Sequence, residues 1–112
     1  AVTAEGHGAD GAGVAGQRIA LPSRMLKEHD LKLETGMMIM GIESGSPGQA
    51  AGLRERDIVV AFDGKGVGGV DDLHRHLSGH GVGVKSTLTL LRGGKKLDLE
   101  IVPEELNLWM KD

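Results

Sequence analysis

The sequence predicts an α+β domain in which about five strands form a sheet capped by two helices. Three observations carry that reading. Apolar residues alternate or cluster in short runs bounded by turn residues, as strands do. Glycine makes up 19 of 112 residues, far above the average of ~7%, which favours turns and exposed backbone over long helices. Residues 70–78 (VDDLHRHLS) form the clearest helix, with Leu73 and Leu77 spaced i, i+4 toward a core.

The elements follow in order. Residues 1–10 are Gly, Ala and small polar residues and read as a flexible tail or linker. Residues 17–21 alternate polar and apolar and read as a strand starting as early as Val14. Pro22 and Ser23 open a short helix of about two turns, with Met25, Leu26 and His29 on one face. Residues 37–43 (MMIMGIE) are a buried strand that ends at the Ser44-Gly45-Ser46-Pro47 turn. Residues 48–51 fit one helical turn closed by Gly52. Residues 57–63 (DIVVAFD) are a second buried strand, and Asp63-Gly64 signals a tight turn. Asp71 and Asp72 suit the positive end of the next helix, which Gly79 terminates. Residues 86–92 and 95–102 are alternating strands joined by the Gly93-Gly94 hairpin signal. Pro103 ends the last strand. Residues 104–112 form a tail whose Leu106, Leu108 and Trp109 seek a surface to cover.

Composition excludes several functions. The chain suffices for one domain, and with one Phe and no Tyr its core must be aliphatic. The net charge of −3 and the absence of a basic stripe argue against nucleic acid. The absence of cysteine removes disulfides and thiolate metal sites. No apolar run approaches the ~20 residues that span a bilayer, so no membrane insertion is expected. No leader is visible, and a chain opening on Ala rather than Met is expected to be part of a longer protein.

Motifs of chemistry are weak. No serine has glycine at both −2 and +2, so there is no nucleophile elbow, and no catalytic residue is expected. Asp71, Asp72, His74, His76 and His80 lie close in sequence, but His74 and His76 point about 200° apart on a helix. A solvated helix face with an Asp72–His76 pair is the better reading, with no metal. Gly-x-Gly-x-x-Gly occurs at Gly6/Gly8/Gly11, Gly11/Gly13/Gly16 and Gly64/Gly66/Gly69. The last follows a strand and precedes a helix, but no acidic residue stands ~20 positions further on at the end of a second parallel strand, as a dinucleotide site needs, and no cofactor is expected.

The informative block is residues 36–64. It contains Gly36, Ser46-Pro47, Ala51-Gly52-Leu53, Asp57-Ile58 and Asp63-Gly64, followed by the Asp72-Leu73…Leu77 helix and the Leu90-Leu91-Arg92-Gly93-Gly94 hairpin. These ordered blocks resemble the PDZ domain of HtrA/Deg-type serine proteases, the circularly permuted bacterial type, over residues 11–103. Two positions depart from that family's pattern. Arg56 stands where Gly usually precedes the Asp. The carboxylate-binding loop, usually Tyr-Leu-Gly-Ile/Val, is matched by Gly11-Ala12-Gly13-Val14.

The resemblance implies a five- to six-stranded, partly open antiparallel β-barrel or sandwich capped by two helices. It implies a module that binds polypeptide C-termini or extended, unfolded segments by β-augmentation, as the substrate-binding or regulatory domain of a protease, or alternatively a structural interdomain module. The expected partners are such peptides and a parent protease domain, in a periplasmic or cell-envelope setting. Carried over by position, Ala12, Gly13 and Val14 offer amides to a terminal carboxylate, and Ala15, Gln17 and Ile19 continue the docking strand. Val70, His74, Leu77 and Ser78 line the groove helix. Since Val70 cannot hydrogen-bond, an apolar ligand residue is expected at the third position from the end.

Overall fold

A computed structural model describes residues 8–9, 13–31, 33–78 and 84–102. The elements are β1 (Gly8–Ala9), β2 (Val14–Ala20), α1 (Ser23–Glu28), β3 (Thr35–Ile42), α2 (Pro47–Ala51), β4 (Ile58–Phe62), β5 (Lys65–Gly66), α3 (Val70–Ser78), β6 (Ser86–Arg92) and β7 (Lys95–Ile101). All pairings are antiparallel. The sheet runs β1-β2-β3-β4-β6-β7, with β5 added on β4, and it is open. Gly11, Ala12, Gly79, His80 and the expected tail at 104–112 lie outside the described residues, as does most of the expected tail at 1–10.

The turns form where their residues demand them. Asp63 and Gly64 hold φ of 51° and 81°, and Gly93 and Gly94 hold 59° and 82°. Two successive positive φ values are the type I′ geometry that matches strand twist in a two-residue hairpin. The single helical turn expected after the Ser-Pro turn is α2, which makes three helices among the described residues rather than two. Ser46 caps it by accepting a hydrogen bond from the Gln49 N–H at 3.2 Å, Pro47 occupies its first turn, and Gly52 closes it at φ 96°.

Two apolar layers cover the two faces of the sheet. The larger joins Val14, Met37, Ile39, Leu53, Val59, Phe62, Leu73, Leu77, Leu88, Leu90 and Ile101 under α3. The smaller joins Leu21, Val60 and Leu91 to Ile19, Met25 and Leu26 beneath α1. Period-two alternation divides them: along β6, Leu88 and Leu90 enter one layer and Leu91 the other. Among the described residues the core is aliphatic apart from Phe62, which stacks on His76 at 6.3 Å.

One buried charge ties the last hairpin to the loop before β4. Asp57 accepts hydrogen bonds from Arg92 Nε at 2.9 Å and Nη2 at 2.7 Å, and from the Arg54 N–H at 2.9 Å. Arg92 Nη2 also reaches the Gly52 carbonyl at 2.9 Å. The hydrogen bond to Asp57 raises the pKa of the Arg92 guanidinium still further. Bidentate geometry and a full set of partners are what make such a pair tolerable out of water.

Candidate functional site

The site is built from the outer edge of β2 and the flank of α3. Backbone parity decides which groups of β2 face outward. Gly13 turns its carbonyl toward β3, accepting from the Glu43 N–H at 2.9 Å, and the Leu21 N–H reaches the Glu34 carbonyl at 2.8 Å. In an antiparallel strand, alternate residues direct both backbone groups to the same neighbour. Ala15, Gln17 and Ile19 therefore bond toward β3, while Val14, Gly16, Arg18 and Ala20 present N–H and C=O to the outer edge. The irregularity between Ala15 and Gly16 falls on the β3 side, where Gly41 and Ile39 are their partners.

That parity also sorts the side chains. Val14 points into the layer under α3, and Ile19 points into the layer under α1. Gln17 shares the Ile19 face and is exposed. The structure thus brings Gly13 and Val14 to the mouth of the β2–α3 groove, and turns the side chains of Ala15, Gln17 and Ile19 away from it. Gly13 is buried with φ 73°, a conformation that suits glycine. Ala12 lies outside the described residues.

On α3, Leu73 is 1% exposed and Leu77 is 9% exposed; both pack in the core with Val14. Val70 is half-buried against the same layer, and His74 is exposed one turn further on. Ser78 ends the helix, next to the described-residue boundary. His76, considered in the sequence as a metal-ligand candidate, is occupied otherwise: Nε2 lies 3.0 Å from the Gly66 carbonyl, and the ring stacks on Phe62. Among the described residues, no group of three or more His, Asp or Glu side chains is placed to hold a metal ion.

Arg18 also belongs to this arrangement, though nothing in the alternation of β2 marks it. It leaves β2 on the α3 side and runs to the start of α3. Its Nη1 donates to Thr35 Oγ1 at 3.3 Å. A Cβ added to Gly69 would stand 3.0 Å from Arg18 Nε, and one added to Gly68 would stand 3.1 Å from Nη1. Gly68 donates its N–H to Asp72 Oδ2 at 2.8 Å, which fixes the entry to α3. Arg18 therefore lies across the end of the groove remote from Gly13. The signal was the adjacent Gly68-Gly69 pair before a helix, which leaves room for a flat guanidinium.

Three comparisons bear on this arrangement. A model of the PDZ domain family matches residues 18–102. A Chlamydia trachomatis protein named "Probable periplasmic serine endoprotease DegP-like" is 27% identical over 86 residues, covering 77% of this chain and 17% of its own. A Staphylococcus aureus protein named "Probable CtpA-like serine protease" is 29% identical over 98 residues, covering 86% of this chain and 18% of its own. The chain thus spans under a fifth of the length of these relatives. Among solved structures, an HtrA-type protease, AlgW, with a decapeptide superposes with a TM-score of 0.67 at 19% identity, covering 84% of this chain and 28% of that one. A variant of AlgW with a decapeptide gives 0.63 at 19% identity, covering 82% and 29%.

Proposed function

This chain belongs to the PDZ domain family, and on that premise we propose that it is a peptide-binding module, the substrate-binding or regulatory domain of an HtrA-type serine protease of the cell envelope. One observation supports this above the others. The outer edge of β2 beyond Ala15 has no strand partner among the described residues, and α3 lies beside it with Val70 half-buried. An extended segment adding there gains main-chain hydrogen bonds from Gly16, Arg18 and Ala20, and packs its side chains against α3. The module supplies recognition; catalysis belongs to another part of the parent chain.

Carboxylate capture by the loop ending at Gly13-Val14 is the finer part of the proposal. The Val14 N–H points to the groove side, and glycine backbone lets a ligand approach closely. Titration of fluorescein-labelled peptides ending in apolar residues is expected to give saturable binding, weakened when the terminal carboxylate is amidated. Equal affinity for acid and amide would leave edge binding and remove terminal capture. No saturation by either peptide would favour the second reading, a structural module packing against its parent; the pairing of β1 with the first two residues of β2 is the observation that favours it.

A further inference from the structure

The groove already holds a strand. β1 pairs with β2 antiparallel, Gly8 opposite Ala15 and Ala9 opposite Val14. It also lies against α3. It therefore occupies the place between the β2 edge and the helix where an added peptide would lie. Val14 directs its N–H and C=O to that side, so the pairing uses the backbone groups a ligand would use. The polarity matches too: β1 runs toward the loop before Gly13, as an incoming peptide would with its C-terminus at that loop.

We infer that Gly8–Ala9 is a tethered occupant of the β2–α3 groove, which an incoming peptide must displace. The inference rests on the peptide-binding reading for its consequence, though not for its geometry. Only residues 10–13 separate β1 from β2, a connection within the usual range for hairpins. So short a tether gives an effective concentration in the millimolar range. The pairing itself covers two residues of each strand. Isolated hairpins are at best marginally stable, so the occupant exchanges instead of sealing the site. The apparent affinity for a peptide is then the intrinsic affinity reduced by the fraction of chains with β1 undocked.

The test uses the full chain and a Gly8→Pro/Ala9→Pro variant, which loses the β1 N–H groups without touching the core. An Ala9→Ser variant keeps the backbone and serves as the control. Two quantities are measured: hydrogen exchange at the Val14 amide, and the Kd of a fluorescein-labelled peptide ending in Val. If β1 is docked nine-tenths of the time, the proline variant shows about tenfold faster Val14 exchange and about tenfold tighter binding. The two factors agree because both report the undocked fraction, and the serine variant matches the parent in both.

Unchanged Val14 exchange in the proline variant overturns the occupancy. Faster exchange with an unaltered Kd overturns the competition. Faster exchange with no peptide bound by either protein upholds the occupant and discards the peptide-binding reading.

Discussion

Arg56 holds φ 75°, a left-handed conformation that costs a residue with a side chain roughly 1–2 kcal/mol. This is the position where the resembled family carries glycine. The turn survives because the Arg56 N–H bonds the Ile39 carbonyl at 2.8 Å and the Asp57 N–H bonds the Arg54 carbonyl at 3.2 Å. Arg56→Gly removes the strain but loosens the unfolded chain by about 0.4–1 kcal/mol. The net expectation is a gain of between about 0 and 1.6 kcal/mol, read as a higher urea midpoint at constant slope. A lower midpoint would mean that the Arg56 side chain contributes contacts of its own. The neighbouring Asp57 predicts the opposite sign. Its side chain is 3% exposed and bonded by Arg92, so Arg92→Met leaves a buried carboxylate short of its partner. A loss of about 3–5 kcal/mol is expected in denaturant unfolding. A loss below about 1 kcal/mol would show that water reaches Asp57. The sequence marks Arg56 as a departure from glycine, but only its φ shows the strain; the Asp57–Arg92 pair spans 35 positions and carries no local signal.

At the scale of elements, β2 is the piece on which the site depends. Its glycine is placed by packing. A Cβ on Gly16 would lie 2.5 Å from Met37 Cγ, and Met37 is fully buried. Gly16→Ala is therefore expected to cost about 1–3 kcal/mol by overpacking. Circular dichroism during thermal unfolding checks it; an unchanged midpoint would mean that Met37 swings aside freely. The helix gives the complementary case. Leu73→Ala empties a site that is almost wholly enclosed, with an expected loss of about 2–5 kcal/mol. The sequence places α3 at Val70–Ser78, the observed range, because Asp71, Asp72 and the Leu73/Leu77 stripe are local signals. The outer edge of β2 is harder to read. Alternation marks a strand but does not say which backbone groups already have partners. That parity emerges only from the register with β3, and it makes Gly16 and Arg18 edge residues in place of Gln17 and Ile19.

At the scale of the whole molecule, the sheet is open at β2 beyond β1, and α3 stands over that edge. A peptide that binds only the folded state must stabilise it by mass action, by about 2.7 kcal/mol at a concentration a hundred times its Kd. A rise in the unfolding midpoint with peptide concentration is the expected result; an unshifted midpoint at saturating peptide would contradict binding to the native groove. The sequence by itself determined the α+β class, the order of the longer elements, the turn at Asp63-Gly64, the hairpin at Gly93-Gly94 and the aliphatic core. These depend on turn chemistry and side-chain period, which act over a few residues. The short strands β1 and β5 were not marked in the sequence. Tertiary structure alone decided the reach of Arg18 across to Gly68 and Gly69, the Asp57–Arg92 bond and the docking of Gly8–Ala9 beside Val14. Each joins segments whose residues carry no local mark of one another, so only the folded register brings their backbone and charges within reach.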